Sequence, residues 1–190
     1  MSEETRPAHK TDPLYGEFYS AVADYEDSTC VEILKRGPLF LDVPESRNMF
    51  LIKACKAGKL GAASFLLEKG ADANAANSGL AVLTSTVAAG QLEAVRLLLE
   101  KGADPNRTRC LVSAVNGSTV GEHREAILKL LLEKWANPNI VFAMFGDKSN
   151  ARTVLNFVSS DSPLRKILLE HGAKTAAEIL KENPNVEIVD

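Results

Sequence analysis

Leu97–Asn106 reads LLLEKGADPN. Leucines followed by Glu and Lys suit the closing turns of a helix. The glycine then stops it, because the residue after a helix commonly takes a left-handed backbone that costs a residue with a side chain ~1 kcal/mol or more. Asp, Pro and Asn direct the chain into a turn. Relatives of this stretch recur on both sides: CVEILKRG at Cys30–Gly37, ASFLLEKGADAN at Ala63–Asn74, VRLLLEKGADPN at Val95–Asn106, LKLLLEKWANPN at Leu128–Asn139 and RKILLEHGA at Arg165–Ala173. The closing position falls at Gly37, Gly70, Gly102, Trp135 and Gly172, so successive steps are 33, 32, 33 and 37 residues. A period near 33 marks a helical repeat array, whose single units cannot bury their own apolar face.

Val95, Leu98 and Leu99 lie at i, i+3 and i+4 and form one apolar stripe. The same phase holds for Cys30, Ile33 and Leu34, for Ala63, Leu66 and Leu67, and for Leu128, Leu131 and Leu132. Such stripes face neighbouring repeats. Upstream of each lies a second short segment rich in small residues: FYSAVADY at Phe18–Tyr25, LIKACKAG at Leu51–Gly58, LTSTVAAG at Leu83–Gly90 and LVSAVNGS at Leu111–Ser118. Small side chains let two antiparallel helices approach closely. The unit reads helix, tight turn, helix, glycine stop, projecting loop.

This chain resembles the ankyrin repeat proteins, whose unit runs through a turn, TPLHxAAxxG, a helix bearing VxxLL, and GADxN. The second half matches closely at Leu66–Asn74 and Leu98–Asn106, while the first half is eroded. In place of TPLH stand Met49-Phe50-Leu51-Ile52, Ala81-Val82-Leu83-Thr84, Arg109-Cys110-Leu111-Val112 and Thr153-Val154-Leu155-Asn156, which keep the leucine with regularity. Losing Thr and His removes side-chain hydrogen bonds that brace the turn. The resemblance covers about Phe18–Ala173 and implies an all-α fold, an ankyrin-type α-solenoid of about five helix-turn-helix repeats with capping end repeats.

The expected organisation is a flexible tail over residues 1–13, one repeat domain over 14–181 and a frayed tail over 182–190. Asp12 before Pro13 has the form of an N-cap followed by a first helical proline. Thr175-Ala176-Ala177-Glu178 has the capping-box form and opens a last helix that seals the stack. Pro184 and the asparagines around it suit a loose end.

Composition bounds the function. Lys and Arg number 22 against 25 Asp and Glu, a formal charge of −3, so no field draws the chain onto phosphate backbones or anionic membranes. Neither a nucleic-acid nor a membrane partner is expected. No apolar run reaches the ~18 residues of a membrane span, and MSEETRPAHK lacks a secretory apolar core, so the expected address is the cytoplasm and the expected state a monomer. Cys30, Cys55 and Cys110 are odd in number and widely spaced, which reads as buried reduced thiols. His9, His123 and His171 stand in no pattern with Cys, Asp or Glu, and there is no GxxxxGK[ST], GxGxxG or HExxH. No catalytic residue, metal or cofactor is expected.

Two departures from the repeat carry more information. Trp135 replaces the stop glycine, so either the backbone exits differently or a bulky residue is held in an unfavourable conformation. Beyond it, Ile140-Val141-Phe142-Ala143-Met144-Phe145 is apolar where the family places a polar projecting loop. It reads either as an exposed patch of the composition found at interface hot spots, or as a buried start to the next repeat. The other departure is the short connection from Asn106 to Leu111, a trimmed finger carrying Arg107 and Arg109, which suit an acidic partner or plain solvation. The insertion Gly117–Arg124 reads as a tolerated loop.

The resemblance implies a non-enzymatic module that binds a protein partner on a concave face made of projecting loops and first helices. Position by position it nominates Lys56, Arg107, Asn116, Trp135, Phe142, Met144 and Phe145. A free-standing array suits an inhibitor, adaptor or immunity-type protein. The alternatives are an obligate homo-oligomer using the 140–145 run as a self-interface, or a scaffold for a small-molecule or catalytic site.

Overall fold

The computed structural model describes residues 11–77, 80–107, 109–116, 123–143 and 148–189. Ten α-helices and two pairs of two-residue strands make up the regular structure among these residues, the all-α repeat fold expected. The chain divides between Asp104 and Pro105 into two compact units.

The first unit holds three helix pairs: α1 (Pro13–Asp24) with α2 (Asp27–Lys35), α3 (Pro44–Lys56) with α4 (Leu60–Glu68), and α5 (Val82–Ala88) with α6 (Leu92–Glu100). First helices pack on first helices, α1 on α3 and α3 on α5, and second helices likewise, α2 on α4 and α4 on α6. The stripe residues Cys30, Ile33, Leu34, Ala63, Leu66, Val95 and Leu98 are buried, while Leu67 and Leu99 are half-buried. Asp12 caps α1, accepting from the Leu14 N–H at 3.0 Å, and its other oxygen takes the Leu39 N–H at 2.7 Å. The 3-10 turn Leu39–Asp42 feeds Phe40 into a ring cluster, its centroid 4.4 Å from Phe50 and 5.5 Å from Phe18, which fills the core of the first repeat. Between α4 and α5, strands β1 (Ala76–Asn77) and β2 (Leu80–Ala81) pair antiparallel as a projecting finger.

Small residues let the second helices approach. A Cβ on Gly61 would lie 3.0 Å from both Asp27 Oδ2 and Val31 Cγ2. That proximity lets Asp27 cap the neighbouring helix, accepting from the N–H groups of Gly61 at 2.5 Å and Ala62 at 3.0 Å. Lys59, the N-cap residue of α4, supplies no side-chain cap, so the orphan donors of the first turn are satisfied from the preceding repeat.

The second unit holds α7 (Cys110–Val115), α8 (Arg124–Glu133), α9 (Pro163–Glu170) and α10 (Ala176–Glu182). The short Asn106–Leu111 connection passes straight into α7, with no hairpin among the described residues. Before α9, the 3-10 turns Lys148–Asn150 and Val154–Phe157 stand where a first helix is expected. Strand β3 (Val141–Phe142) pairs with Arg152 on one edge and, in parallel, with β4 (Ile188–Val189) on the other. Residues expected to fray at 182–190 therefore include a docked segment, because Val186 and Ile188 carry apolar side chains onto Val141, Ala176 and Ile179. Thr175 and Glu178 make the expected capping box, and the backbone and side-chain donors of Thr175 hold the Glu178 carboxyl below its ordinary range.

Candidate functional site

The second helices α4, α6, α8 and α9 end alike. After α6, the Gly102 N–H donates to Leu99 O at 3.2 Å and the Ala103 N–H to Leu98 O at 2.9 Å. After α8, the Trp135 N–H donates to Leu132 O at 3.1 Å and the Ala136 N–H to Leu131 O at 2.9 Å. This Schellman pattern needs a left-handed residue at its pivot. Gly70, Gly102 and Gly172 take φ of 85°, 86° and 77°; Trp135 takes 66°. Of the two possibilities at Trp135, the structure has the second: the usual exit, with a bulky residue in the glycine's conformation. It is the single residue other than glycine with positive φ among those described.

The asparagine closing each GADxN-type motif fastens the next stop. Asn74 donates through Nδ2 to Gly102 O at 3.0 Å and accepts from the Asp104 N–H at 2.8 Å. Asn106 treats Trp135 O and the Asn137 N–H the same way, at 3.0 and 2.7 Å, and Asn139 treats Gly172 O and the Lys174 N–H, at 3.0 and 2.7 Å. One side-chain amide thus satisfies an orphan carbonyl and an orphan N–H of the following repeat. In the sequence these asparagines read only as turn formers. Their recurrence four residues after each stop position was the visible signal of this second duty.

Held by that bridge, Trp135 leaves its indole 86% exposed. Arg107, next to Asn106, is exposed in the same unit. Asn116 is the exposed, extended C-cap of α7. Lys56 is the exposed last residue of α3, in the first unit. Phe142 is a correction: it is buried, paired through its backbone with Arg152, and covered by the Arg109 guanidinium 5.0 Å from its ring centroid. Val141 and Ala143 are buried too and Ile140 is half-buried, so from Val141 to Ala143 the apolar run fills the unit's interior. Met144 and Phe145 lie outside the described residues, as do His9 and most of the 117–124 insertion.

In the first unit, Tyr19 on α1 and Lys53 on α3 were not singled out from sequence. Lys53 Nζ stands 3.9 Å from the Tyr19 ring centroid, and its hydrogen bond holds the phenol below its ordinary pKa. Tyr19 and Tyr25 are exposed aromatics, the residue type enriched at binding surfaces. Cys30, Cys55 and Cys110 are buried and in no disulfide, as expected. Burial pushes the Cys55 thiol up to about 12 and raises that of Cys30, which keeps both in the unreactive thiol form at neutral pH.

No helix among the described residues is long and apolar enough to cross a membrane. No curated protein matches the chain. A family model described as ankyrin repeats, in three copies, matches residues 18–109, and the asparagine bridges continue the same unit through Gly172. Over residues 18–109 the chain is a run of ankyrin repeats.

Proposed function

We propose that this chain is a non-enzymatic binding module that captures one partner protein, with Trp135 as an anchor, and serves as an inhibitor, adaptor or immunity-type protein. Ankyrin repeats are in general protein–protein interaction modules and typically non-enzymatic, which supports the broad class. The observation that carries the finer reading is Trp135 itself. A tryptophan at φ 66° costs ~1–2 kcal/mol that glycine avoids, and at 86% exposure its ring recovers little of that by burial. Folding gives no reason for an indole at this pivot. A partner does, since tryptophan and arginine are the residues that dominate binding energy once desolvated, and Arg107 lies next to the asparagine that bridges to Trp135.

The test is affinity capture with the wild-type chain and with Trp135→Gly, run in parallel against the native cytosol. Loss of a captured protein from a variant that keeps its helical signal supports the reading. Equal recovery of the same protein by both would overturn the anchor role.

A further inference from the structure

The Val141–Ala143 stretch has both edges occupied, and the two occupants are secured very differently. On one edge Phe142 and Arg152 exchange two backbone hydrogen bonds of 2.8 Å. Arg152 runs directly into Thr153, fully buried, whose hydroxyl donates to Lys174 O at 2.9 Å and whose N–H is taken by Asn156 Oδ1 at 2.8 Å. On the other edge β4 lies with Ile188 opposite Val141, and the Ala143 N–H donates to Val189 O at 3.2 Å. This occupant is two residues long and is reached through exposed Asn183, Pro184 and Asn185. Its apolar hold comes from Val186 and Ile188, both only half-buried, on a floor of Val141, Ala176 and Ile179. Lys148 Nζ on Pro184 O, at 2.6 Å, is an exposed tether.

A strand so short, on so few apolar contacts, opens locally at a fraction of the cost of global unfolding. What it uncovers is a strand edge with an N–H to give, beside an apolar floor. Such an edge takes ligands by strand addition, main-chain hydrogen bonds supplying affinity and alternate side chains supplying selection. We propose that residues 186–189 are a releasable strap, and that the edge they occupy receives an extended peptide segment of a partner protein with apolar side chains at alternate positions. Val186-Glu187-Ile188 is the chain's own copy of that ligand pattern. The proposal does not rest on Trp135.

Two measurements on the full chain test it. Native-state hydrogen exchange should show the Ala143 amide exchanging roughly 100-fold faster than that of Leu131 within α8, through local opening; equal protection would mean that the segment leaves only when the unit unfolds, and would overturn the proposal. The double variant Val186→Asp/Ile188→Asp should bind a labelled peptide of sequence Asn183–Asp190 at least about tenfold more tightly than wild type, where the strap competes. The bound peptide should slow Ala143 exchange again. A folded double variant that binds no better than wild type would also overturn it, and if that variant fails to fold, the wild-type exchange result decides.

Discussion

Replacing Trp135 separates the cost of its backbone from any value of its side chain. Trp135→Ala and Trp135→Gly both remove the indole, so whatever the exposed ring contributes to folding cancels between them. They differ in how they hold φ 66°. Alanine keeps the left-handed penalty of ~1–2 kcal/mol, whereas glycine has none. Glycine gives back ~0.4–1 kcal/mol through the extra freedom of its unfolded chain. The difference leaves Trp135→Gly more stable than Trp135→Ala by ~0.5–1 kcal/mol, the reverse of the usual order of these residues, which for a chain of this size is ~1–4 °C in Tm. Each variant should also stay within ~1 kcal/mol of wild type, since a packed tryptophan would instead cost ~3–5 kcal/mol on truncation. Urea unfolding followed by far-UV circular dichroism is the assay, because Trp135 is the chain's single tryptophan and neither variant keeps a tryptophan reporter. Alanine at least as stable as glycine would refute the strained pivot, and a loss of ~3 kcal/mol in both would refute the exposed one.

Asn106→Ala deletes two hydrogen bonds to the next repeat, so at ~0.5–1.5 kcal/mol each it should lower stability by ~1–3 kcal/mol in the same denaturation assay; an unchanged midpoint would show that the bridge is idle. Leu98→Ala empties a fully buried site and should cost ~2–5 kcal/mol, and near-wild-type stability would mean that the stripe is wrongly placed. The thiols predict a pH dependence with a definite sign. The folded Cys55 pKa of about 12 lies above the unfolded value of ~8.5, so in between the unfolded chain releases a proton that the folded chain keeps. Stability from this group is therefore full below about pH 8.5 and falls by up to ~1.4 kcal/mol per pH unit above it, a slope that Cys55→Ala should remove from the unfolding free energy measured against pH.

Most of the architecture was legible because the repeat states each instruction several times. A single LLLEKGADPN is a helix ending; set against its relatives it fixes phase, period and the glycine pivot together. Reading failed where one copy departs from the others and the cause lies far along the chain. The 140–143 stretch is apolar for a reason local pattern cannot show: its partners are Arg152 and the segment at 188–189, some 45 residues on, so the buried alternative had the burial of Phe142 right without the pairing that produces it. The same remoteness hid the docking of residues 186–189, since the Asn-Pro-Asn composition before them describes the hinge well and the strand beyond it not at all.

Trp135 shows the opposite relation between pattern and structure. There the geometry is fixed by neighbours that obey the repeat, the Leu131 and Leu132 carbonyls on one side and the Asn106 amide on the other. Because those groups impose the left-handed turn whatever residue occupies it, the substitution cannot move the backbone and can only store strain. That is why a break in a well-kept motif reports on a surface more directly than the motif does: the surrounding repeat removes every structural explanation except the one that the glycine already satisfied. If Trp135→Gly gains stability over Trp135→Ala and loses the partner, the indole is held for binding alone; if it gains stability and loses nothing, the tryptophan is an unselected change that the repeat simply tolerates.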